Sequence, residues 1–211
     1  SRLGTSRASR TWAGCSTSPH RSTATWDVSS VTDMSDMFYR AESFNGDLPA
    51  WDVSSVTDMS KMFSFASSFN GDISAWDFSS VTDMDQMFNL APSFNGDISA
   101  WDVSNVTDMR AMFYRASSFN GYISAWDVPS VTDMSFMFDG AVLFNQDLGW
   151  CLGSEVSSSS AFVSSGCSVL SCGVTFSDSC STPTATPAAG PTAVSSCGDD
   201  EAWSKKGDPD K

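Results

Sequence analysis

Five tryptophans, Trp26, Trp51, Trp76, Trp101 and Trp126, are spaced 25 residues apart without exception. A fixed period of this length belongs to repeat architectures, in which one unit cannot bury its own apolar face and neighbouring units must stack. The unit reads WDVSSVTDMSxMFxxAxSFNGDISA, and five copies run from residue 26 to about residue 149. All ten methionines fall in two columns of the array, from Met34 and Met37 to Met134 and Met137. Such placement makes Met core filler rather than a soft-metal site.

Within a unit, Val31, Met34, Met37, Phe38 and Ala41 lie at offsets 0, 3, 6, 7 and 10, the one-face spacing of a short helix. Ser30 and Asp33 are placed as a capping pair at its start. The helix is expected to end near the Asn45-Gly46 turn, whose copies begin at 70, 95 and 120 and whose residues tolerate positive φ. A short extended stretch follows, such as Ile73 to Phe78, with Trp76 and Phe78 on one face.

The WDVSSVTDMSxMF…FNGDIS unit resembles the 25-residue repeat of BspA-like, leucine-rich-repeat-type surface proteins, over about 125 of the 211 residues. This resemblance implies an α/β repeat solenoid, leucine-rich-repeat-like, with one short helix, turn and short strand per unit. It implies display outside the cell, roles in adhesion or recognition, and no catalytic residues. By the same likeness Asn45, Asn70, Asn95, Asn120 and Asn145 are expected to form a buried ladder that satisfies turn backbone groups. Tyr122, Pro129 and Gln146 depart from the consensus and bear only on local turn geometry.

Outside the repeats the chain changes character. Residues 1–25 hold four arginines, no acidic residue and the only histidine, His20. With a permitted choice of codons, and starting from the end of the Leu3 and Gly4 codons, the stretch through Thr5 to Cys15 reads WDVSSVTNMGGMF out of frame, and Ser22 to Thr25 reads FNGD in the same shifted frame, so this segment is expected to be an out-of-frame repeat, poorly ordered. Residues 150–180 are expected to form a Cys-containing C-terminal cap that hides the last apolar layer. Their Cys151, Cys167, Cys172 and Cys180 cluster in a Ser-rich stretch, which reads as disulfides and an oxidising, extracytoplasmic compartment, with connectivity left open. Residues 181–196 read as a Pro/Thr/Ser linker. Residues 197–211 read as the truncated start of a Cys-containing module, making the chain a fragment.

A formal net charge of −14 argues against a nucleic-acid partner, because phosphate binding depends on Lys and Arg. No apolar run reaches the ~20 residues of a transmembrane helix. Neither a nucleophile elbow nor a phosphate loop is present, and uniformly repeated carboxylates do not make one unique catalytic constellation, so no enzyme is expected. Three Asp columns start at Asp27, Asp33 and Asp47. Turns and helix N-termini account for most of them, and calcium is the possible cofactor, the first column being its best place. The positions after MF vary between units, and Tyr39, Arg40, Phe65, Tyr114 and Arg115 form the candidate recognition surface for a protein or glycan ligand. The expected function is therefore adhesion or ligand recognition at a cell surface. The alternative is a structural wall or matrix component with cation-bridged acidic faces. Ice or mineral binding through the Thr32 column is a third reading.

Overall fold

The computed structural model describes residues 27–48 and 51–181. The expectations for residues 1–25, for the linker beyond Ser181 and for the 197–211 module lie outside the described residues, as does Trp26. Within them the chain winds as a parallel stack of coils. Single-residue parallel bridges join Asp33 to Asp58, Asp58 to Asp83, Asp83 to Asp108, Asp108 to Asp133, and Asp133 to Ser157. Beside the bridges, the Thr57, Thr82, Thr107 and Thr132 N–H groups donate to the preceding Thr carbonyl at 2.8–2.9 Å. Identical sequence at a fixed period places identical residues one above another, so each favourable contact recurs at every step.

The expected helix is absent, and with it the helix–turn–strand unit. Met34 to Ala41 instead forms two consecutive tight turns, closed by Met37 N–H to the Met34 carbonyl at 3.3 Å and Ala41 N–H to the Phe38 carbonyl at 3.0 Å. The intervening N–H groups of Asp36, Phe38 and Arg40 donate to Ser60, Met62 and Ser64 of the next coil at 2.8–3.0 Å. Asp36 and Arg40, third residues of the two turns, take φ of 57° and 58°, outside the right-handed helical region. Packing explains the difference. The Phe38, Phe63, Phe88, Phe113 and Phe138 rings step from coil to coil by 5.3–5.7 Å. Packed helices need 8–10 Å between axes, so helices cannot stack at this pitch. Two linked turns bury residues three and four apart just as a helix does, which is why Met34 and Met59, Met62 and Phe63, and Ala66 lie inside as expected.

The extended stretch is also not where the residue pattern places it. Trp76 N–H closes a turn on the Ile73 carbonyl at 3.2 Å. The only two-residue strands among the described residues are β1, Cys151–Leu152, and β2, Thr175–Phe176, which pair in parallel. Nor do the Asn-Gly glycines use positive φ. Left-handed backbone recurs instead in the two turns, at Lys61 and Phe65, Gln86 and Leu90, Ala111 and Arg115, Phe136 and Gly140, and is taken besides by Gly149 and Gly173. Each non-glycine residue there costs about 1–2 kcal/mol, offset by the inter-coil hydrogen bonds this geometry aims. Gly71 matters for another reason: a Cβ there would collide with the Gly46 carbonyl.

Aromatic ladders fill the interior. In each coil two Phe rings stack tightly, as in Phe63–Phe69 at 3.9 Å and Phe88–Phe94 at 3.8 Å. Phe44 to Phe144 forms a second ladder with steps of 5.7–5.9 Å. Stacked pairs contribute about 0.5–1.5 kcal/mol each beyond the area they bury. A third column runs from Trp51 to Trp150, and Phe78 inserts against Trp101 at 3.7 Å. Indole Nε1 of Trp76, Trp101 and Trp126 donates to the carbonyls of Leu48, Ile73 and Ile98 at 2.8, 3.3 and 3.0 Å.

The stack continues past residue 149 with one residue fewer per turn. Phe162 stacks on Phe138 at 5.3 Å and Trp150 on Trp126 at 6.4 Å, yet the Trp150 Nε1 is buried without a hydrogen-bond partner. Ser160 and Ser164 repeat the two left-handed positions at φ of 57° and 55°. Residues 175–180 then cover this coil, with Thr175 N–H on the Trp150 carbonyl and Ser177 N–H on that of Leu152, both at 2.9 Å. Disulfides Cys151–Cys180 and Cys167–Cys172 fasten the end, and Ser154 hydrogen-bonds Asp178 beside the first of them.

Candidate functional site

The double turn places its variable residues outward in a strip along the stack. Tyr39, Arg40 and Phe65 form one cluster: the Arg40 guanidinium lies 5.4 Å from the Tyr39 ring centre and 5.2 Å from that of Phe65, and the two rings meet edge to face at 5.7 Å. Tyr114 and Arg115 form a second, with the guanidinium 5.2 Å from its ring. Sequence variation alone singles out these five residues; the structure groups them as three and two, three coil steps apart from Arg40 to Arg115. Tyr39 is 41% exposed, Arg40 and Arg115 are exposed, and Phe65 and Tyr114 are half-buried. Between the clusters the equivalents of Tyr39 are small and buried: Asn89 Nδ2 donates to Ser64 Oγ at 3.2 Å and to Gln86 Oε1 at 3.3 Å.

Charge is distributed unevenly. Every Lys and Arg among the described residues, Arg40, Lys61, Arg110 and Arg115, falls in the double turn, which carries three carboxylates, Asp36, Asp85 and Asp139. Asp85 lies in the middle, accepting from Gln86 Nε2 at 2.9 Å and facing Arg110 at 3.9 Å. Burial raises the Asp85 carboxyl above its ordinary value, opposed by the Gln86 hydrogen bond and by the charges of Lys61 and Arg110. Arg40 and Arg115 have no carboxylate partner among the described residues; aromatic rings hold them instead. Lys61 and Arg110 are strip residues the sequence reading missed, although aligning the repeats shows that every cation of the array lies in these columns.

The acidic columns are occupied by local structure. In the first, Ser29 donates its hydroxyl and N–H to Asp27 Oδ1 at 2.6 and 3.1 Å, and Ser54 and Ser104 do the same for Asp52 and Asp102. These bonds hold all three carboxyls below the usual range. Pro129 brings neither donor to Asp127. Second-column carboxylates accept the N–H two residues on, as Asp83 does from Asp85 and Asp108 from Arg110 at 2.8 Å. They cap turns rather than helices, and burial raises both carboxyls. In the third, Ser74 and Ser99 lower Asp72 and Asp97 in the same way. No group of three or more acidic, Cys or His side chains among the described residues is arranged to hold a metal ion.

The Asn column does form a ladder: Asn70, Asn95, Asn120 and Asn145 donate their N–H to the preceding Asn Oδ1 at 2.7–3.0 Å. It is exposed, not buried, because the chain turns on the outside of the coil there. Gln146 strengthens its last rung, donating to Asn120 Oδ1 at 2.8 Å. The Thr hydroxyls of 57, 82, 107 and 132 donate back to the preceding Thr carbonyl at 3.0–3.2 Å. At the far end the surface becomes apolar, with Val142, Leu143, Val163 and Leu170 at least half exposed. Among the described residues no helix is long and apolar enough to cross a membrane.

Two overlapping stretches, 7–107 and 96–168, match the model of the family described as Mycoplasma protein of unknown function, DUF285. The chain belongs to this family. The first match begins at residue 7, within the segment set apart by its composition. No curated protein matches the chain. No solved structure matches it. Family membership makes this a repeat protein of a surface-type family, and its disulfides fit an oxidising compartment.

Proposed function

We propose that this DUF285 chain is an extracellular, non-catalytic repeat protein that binds a ligand through its double-turn strip, in adhesion or recognition, as its resemblance to BspA-like surface proteins implies. One observation carries the reading. Core, Asn, Thr and Asp columns repeat nearly unchanged from coil to coil, while Tyr39/Arg40, Ser64/Phe65, Asn89/Leu90, Tyr114/Arg115 and Asp139/Gly140 differ. A purely structural surface has no use for such differences, whereas a recognition surface needs them. The cation-bridged wall or matrix reading finds less support, because Oδ1 of Asp27, Asp52 and Asp102 is already engaged by its own turn.

The test is saturable binding of the full chain, produced under oxidising conditions, on protein and glycan arrays. A hit should weaken about tenfold or more in the quadruple variant Tyr39→Ala/Arg40→Gln/Tyr114→Ala/Arg115→Gln, the loss typical of interface anchors. Hits that ignore these substitutions, together with calcium-dependent self-association, would replace recognition with the matrix reading.

A further inference from the structure

We propose that the double-turn strip is a track for an anionic polysaccharide, gripped at one point by Arg40 with Tyr39 and Phe65 and at another by Arg115 with Tyr114. This rests on the recognition reading and names its ligand class. Charge comes first. In a chain of net charge −14, all described cations converge on one strip, so the remaining acidic surface repels a polyanion everywhere else and confines it there. Lys61 and Arg110 are partly neutralised by the half-buried Asp85, whereas Arg40 and Arg115 form no salt bridge among the described residues.

Geometry then selects the kind of anion. Each of these guanidinium groups lies over an aromatic ring, at 5.2–5.4 Å, a contact that leaves N–H groups for a sulfate or carboxylate. The adjoining Tyr39 and Tyr114 faces suit the flat C–H face of a pyranose, a surface that an acidic peptide lacks. Three parallel coil steps put the two grips roughly 15 Å apart along a straight line. Ser64 and Asn89 keep the line between them low, with Phe65 and Leu90 half-buried beside it. A linear polymer with repeated anionic groups engages both grips at once, where a small anion reaches only one. Effective concentration then multiplies two weak contacts into useful affinity.

The experiment uses the full chain against size-defined heparin, with neutral dextran and poly-L-glutamate as comparison probes, at two salt concentrations. Heparin should bind saturably, weaken with salt, and exceed dextran and poly-L-glutamate by about tenfold or more, as paired charge and stacking contacts imply. R40Q/R115Q and, separately, Y39A/Y114A should each lower heparin affinity about tenfold with the thermal midpoint unchanged, and R40K/R115K should retain part of it. Heparin binding untouched by R40Q/R115Q would overturn the proposal, placing the polyanion on the basic residues of 1–25 or 201–211. Equal binding of poly-L-glutamate would overturn it in favour of an acidic protein partner. Absence of heparin binding, with an array ligand still lost in the quadruple variant, would remove this inference and leave the recognition reading standing. Loss of neither would remove both.

Discussion

The regular coils from Asp33 to Asp133 and the shortened coil that follows them stack by the same backbone bridges but hold together differently. In the regular part every step carries two Phe ladders, an Asn ladder and the Thr hydroxyl bonds, and Trp rings stack from Trp51 to Trp76 and from Trp101 to Trp126. At the shortened step the Phe and Trp rings still stack, but the indole N–H finds no acceptor and the Asn ladder has ended at Asn145. Two disulfides sit where the repeated polar bonds run out. Translational identity thus makes polar ladders available at no extra cost in sequence, and the layer where those ladders stop is held by covalent closure instead.

The sharpest way to break this comparison is to remove a ring from each part. Phe88→Ala deletes a fully buried ring that stacks on Phe63, Phe94 and Phe113, and should cost about 3–5 kcal/mol in urea unfolding. Phe162→Ala removes a ring with one stacking partner and 8% exposure, and should cost distinctly less. Equal losses would show that the stack unfolds as one unit whose ends are as constrained as its middle. Next in size is Cys151→Ser with Cys180→Ser. These residues are 29 apart, and releasing that loop should cost about 3–4 kcal/mol on the chain-entropy model. In a nearest-neighbour stack this loss is local. Amide exchange should therefore accelerate at Thr175 and Ser177 while Thr82 and Thr107 stay protected. Acceleration at all four would contradict local coupling.

The orphaned indole gives a finer contrast. Trp101→Phe and Trp150→Phe remove similar ring area, but only the first removes a hydrogen bond, and the second removes a buried unpaired donor. The Trp101 change should cost about 1–2 kcal/mol more than the Trp150 change. A difference of zero in chemical denaturation would mean that the shortened coil satisfies its indole as well as the others do.

Much of the stack was legible because repetition fixes register: the period of the Trp column alone tells which residues lie above which. Inward positions were legible too, since Met59, Met62, Phe63 and Ala66 are all buried. Backbone geometry was not, because two linked turns and one helical stretch bury the same offsets. Only the 5.3–5.7 Å step between stacked rings separates them, and no single unit's sequence contains that distance. The recognition strip was half legible. Variation pointed to Tyr39, Arg40, Phe65, Tyr114 and Arg115, but their partition into two cation–aromatic clusters depends on which coils neighbour one another and on Lys61 and Arg110 being drawn to Asp85.

The smallest expected effect compares two Asp columns within the regular coils and depends on the sign of their proton linkage. Burial raises Asp83 above its ordinary 3.8, so its contribution to stability is complete below that pH and lost as pH rises through the folded value. Ser99 lowers Asp97, whose contribution is present above 3.8 and lost as pH falls through its folded value. Asp83→Asn keeps an acceptor for the Asp85 N–H and discards the half-buried charge. Its thermal midpoint should exceed that of the parent at pH 7, with the gap closing as pH falls through the raised folded value towards 3.8. Asp97→Asn should lower the midpoint at pH 7 and converge with the parent from below only at lower pH, as pH falls from 3.8 through the lowered folded value. Parallel curves for either variant would mean that carboxylate charge in that column does not enter the stability of the stack.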